Sequence, residues 1–374
     1  MPLLHLPLIY GSSDKFPQSF AVDAKLIVIR TFEGTTDDIA TFTQRVWIAQ
    51  FRSHTMVPVW ERRYFDWQLM LEEPSERHLW VAAYEEDHLI GCLFAQPFRF
   101  RIFDETEFYG ASSSWLTVDS KFRRQGVARS LAVEMLRRMR LDDCRFLLGF
   151  GMRGAGDQGT KFWSSLGENT VVGNTVYMWA CPLAFDAVTR AAISSIERAG
   201  LPVLRIASRF RISADASGGV RDYDDSDLDA CLSLLTDAGR TSELSYVWSR
   251  VKLAHQLRFQ DFPQTLVAES ARGVDGLINY HPVFVLGRIA LRTAIIDHIV
   301  GDKCVKQNLL ATALDRMRAQ GVDVAVTSTL SGATSTDLLR AGFVPVYPGY
   351  KLLYICERPM PQLKHIRRLR VHLR

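Results

Sequence analysis

The same order of predicted elements occurs twice along this chain of 374 residues. In each half a strand leads into two helices, a strand hairpin, a further strand, a loop and a long helix, and the half ends in a strand, a short helix and a strand. A chain longer than about 250–300 residues usually forms more than one hydrophobic core. The sequence therefore predicts two copies of one α/β unit, although identity between the copies is low.

The first half is rich in β-branched and aromatic residues where strands are predicted. Those strands cover 25–32, 78–87, 88–102, 107–118, 145–151 and 174–180. Apolar residues at helical spacing predict helices at 35–51, about 60–71, 127–140 and 159–166. Either Thr36 or Asp37 is expected to cap the first helix, because short polar side chains accept hydrogen bonds from exposed N–H groups.

The second half repeats this order. Its predicted strands end near Tyr223 and cover 265–270, 276–284, 288–300, 322–329 and 350–355. Its predicted helices cover 224–239, 244–257, 305–321 and 334–342. We expect Asp225 or Ser226 to cap the first of these helices.

Five segments follow from this pattern. An N-terminal arm covers 1–23, the first α/β unit 24–182, a connecting helix and linker 183–217, the second α/β unit 218–356 and a basic tail 357–374. The connecting segment reads as a helix that ends at a glycine, which suits a helix C-terminus.

Composition excludes several classes of protein. With 47% hydrophobic and 23% charged residues, the chain matches an ordinary globular protein and not a disordered or fibrous one. No apolar run approaches the roughly 20 residues that span a bilayer, and the N-terminus lacks the pattern of a signal peptide. The six cysteines are scattered singly, which predicts buried thiols, a reducing cytoplasm and no metal site.

The charge is unevenly distributed. The net charge is +4, and the tail 357–374 has one Glu against one Lys and five Arg, or +5, which leaves about −1 for the rest. A uniformly basic nucleic-acid-binding protein is therefore not predicted. Within the tail, cationic residues of 361–374 alternate with Leu, Ile and Val, so this segment either packs on the body or recruits an acidic partner.

One loop carries chemistry that a bound anion would need. A strand ending in Leu-Thr-Val is followed by a loop with the pattern R-x-x-G-x-A and then by an amphipathic helix. Gly126 and the small Ala128 allow the backbone to approach a ligand, while the exposed N–H groups of the first helical turn and the helix dipole favour negative charge. The loop therefore predicts a phosphate or pyrophosphate site. Arg123, Arg124 and Arg129 would add charge-assisted hydrogen bonds to phosphates, or two of the three would lie in solvent at the start of the helix.

Residues 114–139 resemble the central acetyl-CoA-binding motif of the GNAT superfamily of N-acetyltransferases. That motif is a strand ending in L-x-V, a short loop, R/Q-x-x-G-x-G/A and a helix. The order of elements around it extends the resemblance over 24–182. The resemblance implies two tandem GNAT-like mixed-sheet domains, the acyl-CoA N-acyltransferase fold.

The resemblance also implies a function and a site. Acetyl-CoA or another acyl-CoA would be the co-substrate, with no metal, and an amine of a small molecule or an amino terminus would attack the acyl thioester directly. Leu116 and Val118 match positions that line the pantetheine arm. The pyrophosphate would lie against the loop formed by Arg123, Arg124, Gln125, Gly126, Val127, Ala128 and Arg129.

The sequence departs from the family where a tyrosine often serves as the general acid. Aligning 162–167 with that stretch places Trp163 at the tyrosine position, and an indole cannot supply the proton. Glu107 and Tyr109, on the strand before the motif, are the candidate catalytic residues, with Glu107 as the base acting directly or through water. Glu107 is at least as well explained as a solvated residue at the start of a strand.

The second half has lost the loop chemistry. Residues 298–310 contain no R-x-x-G-x-A, and Gly301 precedes the helix instead of opening it. The chain thus resembles tandem GNAT proteins, including N-myristoyltransferases and mycothiol synthase-like enzymes, in which one domain holds CoA and the other helps to build the substrate site.

Two further functions fit the residues. The missing tyrosine and the degenerate second half would suit a CoA-binding module without turnover. The basic tail would suit an enzyme that takes its acyl group from an acyl carrier protein, because carrier proteins are usually acidic.

One CoA per chain is the stoichiometry we predict, because only the first half keeps glycine and a small residue where phosphates must meet backbone. Equilibrium dialysis with CoA measures it. A second saturable site that persists after Gly126→Asp would contradict this prediction.

Overall fold

The computed structural model describes residues 18–22, 25–70, 74–103, 106–152, 158–166, 169–193 and 219–372. Most of the predicted arm 1–23 lies outside these ranges, as does most of the linker 183–217. Across the described ranges, no helix is long and apolar enough to cross a membrane. Five of the six cysteines are buried and all six are free thiols, which confirms the prediction that most belong to the core.

The first half contains eight strands and five helices within the described ranges. The strands are β1 (Gln18–Val22), β2 (Lys25–Thr31), β3 (Val57–Val59), β4 (Trp80–Glu85), β5 (His88–Ile102), β6 (Thr106–Val118), β7 (Phe146–Met152) and β8 (Thr170–Pro182). The helices are α1 (Thr36–Phe51), α2 (Arg62–Gln68), α3 (Val127–Leu141), α4 (Gln158–Ser164) and α5 (Phe185–Ala191). The predicted strands and helices are confirmed, with boundary shifts of a few residues.

The second half has the corresponding elements. Its strands are β9 (Val220–Asp222), β10 (Leu244–Val247), β11 (Gln264–Ser270), β12 (Gly273–Leu286), β13 (Ala290–Val300), β14 (Val324–Ser328), β15 (Val344–Cys356) and β16 (Leu369–Arg370). Its helices are α6 (Leu228–Arg240), α7 (Arg250–Leu257), α8 (Lys303–Ala319) and α9 (Ser335–Arg340).

Two kinds of sequence prediction were wrong in detail. The cap of α1 lies one residue earlier than expected, because Thr35 forms a capping box with Asp38. In the second half Asp224 forms a capping box with Asp227 around a short 3-10 turn, Asp225–Asp227, and α6 follows that turn from Leu228 without a side-chain cap of its own. The predicted helix 244–257 begins only at Arg250. Residues 244–247 form β10 instead, since they pair with β5 on one side and β16 on the other, and this tertiary pairing overrides local preference.

A single sheet runs through both halves, and each half completes the sheet of the other. Strand β7 pairs with β15 from the second half, β15 pairs with β8, and β8 pairs with β14. Strand 174–180 was expected to close the first unit. It lies instead between two strands of the second half, so the predicted boundary at 182 divides the sequence but not the sheet.

Strand β15 contributes both of its faces to the core of the first half. Leu353 and Ile355 pack with Leu131 and Met135 of α3. On the other face, Leu352 and Tyr354 pack in an aromatic cluster with Phe100, Phe108 and Phe146. Burial of a large apolar side chain contributes about 1.5–3 kcal/mol, so the core of the first half depends on a strand more than 160 residues further along the sequence.

The basic tail packs against the body along its described residues. Leu363, Ile366 and Val371 are buried, β16 pairs with β10, and the Glu243 carboxylate accepts hydrogen bonds from the backbone of Arg367 and Arg368. Of the two interpretations of this segment, the structure favours packing.

The first half should not fold alone. Without β15, one edge of β7 is unpaired, and the core clusters on both sides of the sheet lose the β15 side chains that pack in them. We expect residues 1–193 to lack a cooperative thermal transition by circular dichroism. Co-expression with residues 194–374 should restore it. A monomeric 1–193 fragment that unfolds cooperatively would show that the exchanged strand is dispensable.

Candidate functional site

The site begins where two parallel strands separate. Strands β6 and β7 pair only at Ala111 with Leu147 and at Ser112 with Leu148. Beyond this point β6 continues to Val118 and β7 to Met152 without further pairing. At the start of the gap, the Ser113 hydroxyl donates to the Leu148 carbonyl at 3.1 Å. Unpaired strand backbone therefore faces the gap, where its polar groups are available to a ligand.

A β-bulge lies in the middle of this unpaired segment. Pairing between β6 and β5 passes from Ser114 with Phe94 to Thr117 with Cys92, so one extra residue is accommodated. Trp115 has a φ of 57°, a left-handed conformation that is unusual for a bulky residue and concentrates at functional sites. The bulge leaves the backbone of residues 115 and 116 outside the ladder.

The loop after β6 is held by an ion pair. Asp119 accepts a hydrogen bond from Lys121 N at 3.1 Å and from Arg45 Nη1 at 2.6 Å. Burial raises the pKa of the Asp119 carboxyl, but the Arg45 guanidinium and the Lys121 N–H outweigh it and hold the pKa below its ordinary value. The carboxylate therefore fixes the path of the chain from the end of β6 into the loop.

Helix α3 starts without a cap. Gly126 precedes its first residue with a φ of 89°, a left-handed conformation, and no side chain caps the helix. A Cβ built on Gly126 would meet no atom within 4 Å, so this glycine faces open space. The first-turn N–H groups from Val127 onward are then available to an anion, which the helix dipole also favours.

A cleft with a volume of about 250 Å³ lies at this helix start. Its lining residues are Val118, Phe122, Arg123, Arg124, Gly126, Val127, Ala128, Arg129 and Phe162. The fold thus brings seven of the nine predicted CoA-binding residues together around one cleft. Of the other two, Leu116 is partly buried and packs against the core of the first half, and Gln125 stabilises the loop by donating to the Lys121 carbonyl at 2.9 Å. Phe122 and Phe162 were missed, because apolar residues there carry no sequence signal that separates a cleft wall from core.

The three arginines differ in what they contact. Arg123 donates to the Val118 carbonyl at 3.2 Å and to the Gln50 side chain at 2.6 Å, and Arg129 donates to the Ser165 carbonyl at 3.4 Å. Arg124 has a φ of 61°, and no residue in the described ranges forms a hydrogen bond or ion pair with its guanidinium. Arg124 is therefore the arginine best placed to bind a phosphate.

Glu107 and Tyr109 lie at the other end of β6. The Glu107 carboxylate is half exposed and pairs with Arg101 at 2.7 Å, and the Tyr109 hydroxyl accepts from Arg99 at 2.9 Å. About 20 Å of strand separates Glu107 from the gap at Ser113, at roughly 3.3 Å per residue. The structure does not bring these two residues to the gap, and their catalytic role remains a prediction.

The corresponding helix start in the second half is closed. The Asp302 carboxylate caps α8 by accepting from Val305 N at 2.9 Å, and a Cβ on Gly301 would meet the Val305 side chain at 2.6 Å. Ile299 N donates to the Ser331 carbonyl at 2.8 Å, so the end of β13 is hydrogen-bonded to the segment that follows β14. A carboxylate stands where an anion would have to bind, which gives a physical reason to expect no CoA there.

Comparison with protein families matches residues 39–164 to the model described as the acetyltransferase (GNAT) family. A search of curated proteins finds no match.

Among solved structures, Saccharomyces cerevisiae N-myristoyltransferase with bound myristoyl-CoA is similar, with a TM-score of 0.72, 14% identity, and 96% of this chain and 92% of that chain covered. GCN5-related N-acetyltransferases from Kribbella flavida and Anabaena variabilis follow. Their TM-scores are 0.50 and 0.52, their identities 14% and 10%, and they cover 87% of this chain and 71% and 72% of their own. At such identities the likeness concerns the fold, which is that of two tandem GNAT-like domains with mixed sheets.

Gly126→Asp should weaken CoA binding by about 100-fold or more, or about 3 kcal/mol, because a carboxylate would project toward the phosphates. Calorimetric titration measures this affinity. Gly273→Asp is the matched control, since Gly273 also has a positive φ of 107° and open space at its Cβ but is the first residue of β12, directly after the turn from β11. Equal affinities in the two variants would remove the loop from the site.

Proposed function

Because residues 39–164 match the acetyltransferase (GNAT) family, we propose that this protein is an N-acyltransferase that moves an acyl group, most simply acetyl, from CoA to an amine. The observation that carries the proposal is the uncapped start of α3 beside the gap between β6 and β7. The anion site thus lies next to the unpaired strand backbone. The first suits the pyrophosphate of CoA, and the second suits the amides of its pantetheine arm.

The phosphates would bind at the cleft. First-turn N–H groups of α3 would donate to the pyrophosphate oxygens, and Arg124 would add a charge-assisted hydrogen bond. The pantetheine arm would lie along the unpaired part of β6, where its amides replace the hydrogen bonds that β7 does not make. Leu116 and Val118 would flank this arm.

The thioester would then reach the bulge at Trp115. Direct attack by an amine places negative charge on the thioester oxygen, and a fixed backbone N–H at the bulge is the type of donor that stabilises such charge. The C–S bond breaks, the electron pair leaves with sulfur, and the amine loses a proton to a base.

The surroundings of the bulge favour a short acyl group. The Trp115 ring lies 5.2 Å from Phe65, 6.0 Å from Tyr64 and 6.3 Å from Trp60, measured between ring centroids. Trp115, Phe65 and Tyr64 belong to one buried cluster, and the partly buried Trp60 packs against it. A long acyl chain would have to displace these rings. We therefore propose acetyl-CoA or another short acyl-CoA as the donor.

The acceptor would be an amine of a small molecule or an amino terminus, as the sequence predicts. The basic tail was the reason to consider an acyl carrier protein as the donor. The described part of that tail packs on the body and does not project as a docking arm, so we do not propose a carrier-protein donor. A CoA-binding module without turnover remains the second candidate, because Trp163 is buried in the core of the first half and supplies no acid.

Release of thiol measures turnover and separates these two functions. With acetyl-CoA and a panel of primary amines, we expect amine-dependent release that falls as the acyl chain is lengthened from acetyl to myristoyl. Saturable CoA binding without thiol release for any amine would favour the CoA-binding module.

Arg124→Gln should raise the KM for acetyl-CoA in the same assay by about 10-fold with little change in kcat, since it removes one charge-assisted hydrogen bond of about 1.5 kcal/mol.

A further inference from the structure

Two cations of the second half meet at one glycine. Lys306, on the first turn of α8, donates from Nζ to the Gly332 carbonyl at 3.1 Å. Arg370, on β16 of the tail, donates from Nη1 to the Ile299 carbonyl at 3.4 Å. A Cβ on Gly332 would collide with the Arg370 guanidinium and the Ile299 carbonyl, so the absence of a side chain at 332 is what lets this guanidinium approach.

Neither cation forms an ion pair with a carboxylate in the described part of the chain. The negative charges that act on Lys306 are those of Asp302 and Asp337. Both carboxylates are already used as helix caps. Asp302 accepts from a backbone N–H at the start of α8, and Asp337 accepts from the backbone N–H of Thr334 at the start of α9.

The surroundings of the two cations disfavour their charges. Burial lowers the pKa of Arg370 below its ordinary value. The pKa of Lys306 is lowered first by burial and then by the positive charge of Arg370. Charged groups that leave water are normally paired, so two like charges left together here call for a negative charge that the described residues do not supply.

Most of the N–H donors at this point have no protein acceptor. An ammonium carries three N–H donors and a guanidinium carries five. The described residues accept one hydrogen bond from each group. Both side chains are only partly buried, so a small ion from solvent can reach the remaining donors. Arginine and lysine together are a donor set that suits carboxylate and phosphate oxygens.

We infer that Lys306 and Arg370 bind a small oxyanion, a phosphate or a carboxylate, which links α8 to the C-terminal tail. Side-chain donors would hold it, and not helix N–H groups, because Asp302 occupies the start of α8. The site thus lacks the open helix start that suits a pyrophosphate at Gly126, and CoA is not its ligand. Such a site would exist whether or not the protein transfers acyl groups.

The cations lie far from the gap where the donor would bind. Arg370 is in register with Ser245 of β10, and Ser245 with Arg101 of β5. Phe94, further along β5, is the partner of Ser114 beside the bulge of β6. About 23 Å of strand separates Arg101 from Phe94, at roughly 3.3 Å per residue. A small amine at the thioester could not also contact these cations, so the oxyanion is a separate ligand.

Isothermal titration of the full-length Gly126→Asp variant with phosphate, sulfate and acetate tests the site, with chloride at the same ionic strength as the reference. This variant carries a carboxylate at the start of α3, which removes the competing anion site. We expect saturable binding of about one phosphate per chain and a Tm that rises more with phosphate than with chloride, because a ligand of the folded state stabilises it. Comparison of phosphate with acetate shows which oxyanion the site prefers.

Substitutions in the same background identify the residues that bind. Lys306→Gln and Arg370→Gln should each weaken phosphate binding by about 10-fold or more, since each removes a charge-assisted hydrogen bond. Lys306→Arg keeps the charge and should stay within about threefold of the parent. Lys303→Gln is the matched control, because it removes an exposed lysine from the first residue of the same helix with the same change in net charge.

The Tm in chloride alone separates binding from packing. Lys306→Gln should leave this Tm unchanged or raise it, because the substitution removes repulsion between two cations. A lower Tm together with unchanged phosphate binding would assign Lys306 to packing and overturn the site. If Arg370→Gln fails to fold, the Lys306 variants decide, since that lysine lies on the surface of a helix.

Three further results would overturn the site. They are no saturable binding of any oxyanion beyond chloride, equal weakening by Lys303→Gln and Lys306→Gln, and full phosphate binding by the folded double variant of Lys306→Gln with Arg370→Gln. None of them bears on CoA. In the otherwise wild-type chain, Lys306→Gln should leave CoA affinity within about twofold, because distant sites act independently.

Discussion

Strand β7 pairs fully on one side and hardly at all on the other, and the geometry of the site follows from this imbalance. Seven residues of β7 pair with β15, whereas only Leu147 and Leu148 pair with β6. Hydrogen bonds and two buried faces anchor β15, so β7 cannot move back to close the gap without losing them. The gap therefore does not depend on a ligand to stay open, and the second half of the chain maintains it. Preorganisation of this kind lowers the cost of binding, because the strands need no rearrangement.

The two halves share a fold but differ at the start of their long helix. In the first half Gly126 leaves the helix uncapped and open. In the second half Asp302 supplies a carboxylate cap to the corresponding turn. The difference concerns a few atoms, yet it decides which half is suited to bind a pyrophosphate. The second half would then contribute by holding β7 through β15.

Local pattern was enough to predict most elements and the anion loop. The periodicity of α3 and the R-x-x-G-x-A spacing depend on neighbours in sequence, so they could be recognised without tertiary information. The pairing of β15 with β7, and the position of β8 between β14 and β15, could not be predicted. The sequence pattern of a strand does not show which half supplies its neighbours. The same holds for β10, whose strand conformation depends on partners far away in sequence.

The buried hydrogen bond between His281 and Asp297 could not be predicted from the sequence for a related reason. His281 and Asp297 are 16 residues apart on neighbouring strands, and without the β13 bulge nothing indicates that their side chains meet. By itself a histidine in an apolar strand is best explained as a packed residue. Its hydrogen bond to Asp297 is seen only once the two strands are paired.

A crystal structure of the protein with CoA would show whether the open start of α3 binds the pyrophosphate. We expect electron density for the pyrophosphate against Gly126 and the first turn of α3. The pantetheine arm should lie between the unpaired ends of β6 and β7, with its sulfur near Trp115. Density for CoA at the start of α8, or elsewhere on the surface with the gap empty, would show that the gap between β6 and β7 is not the binding site.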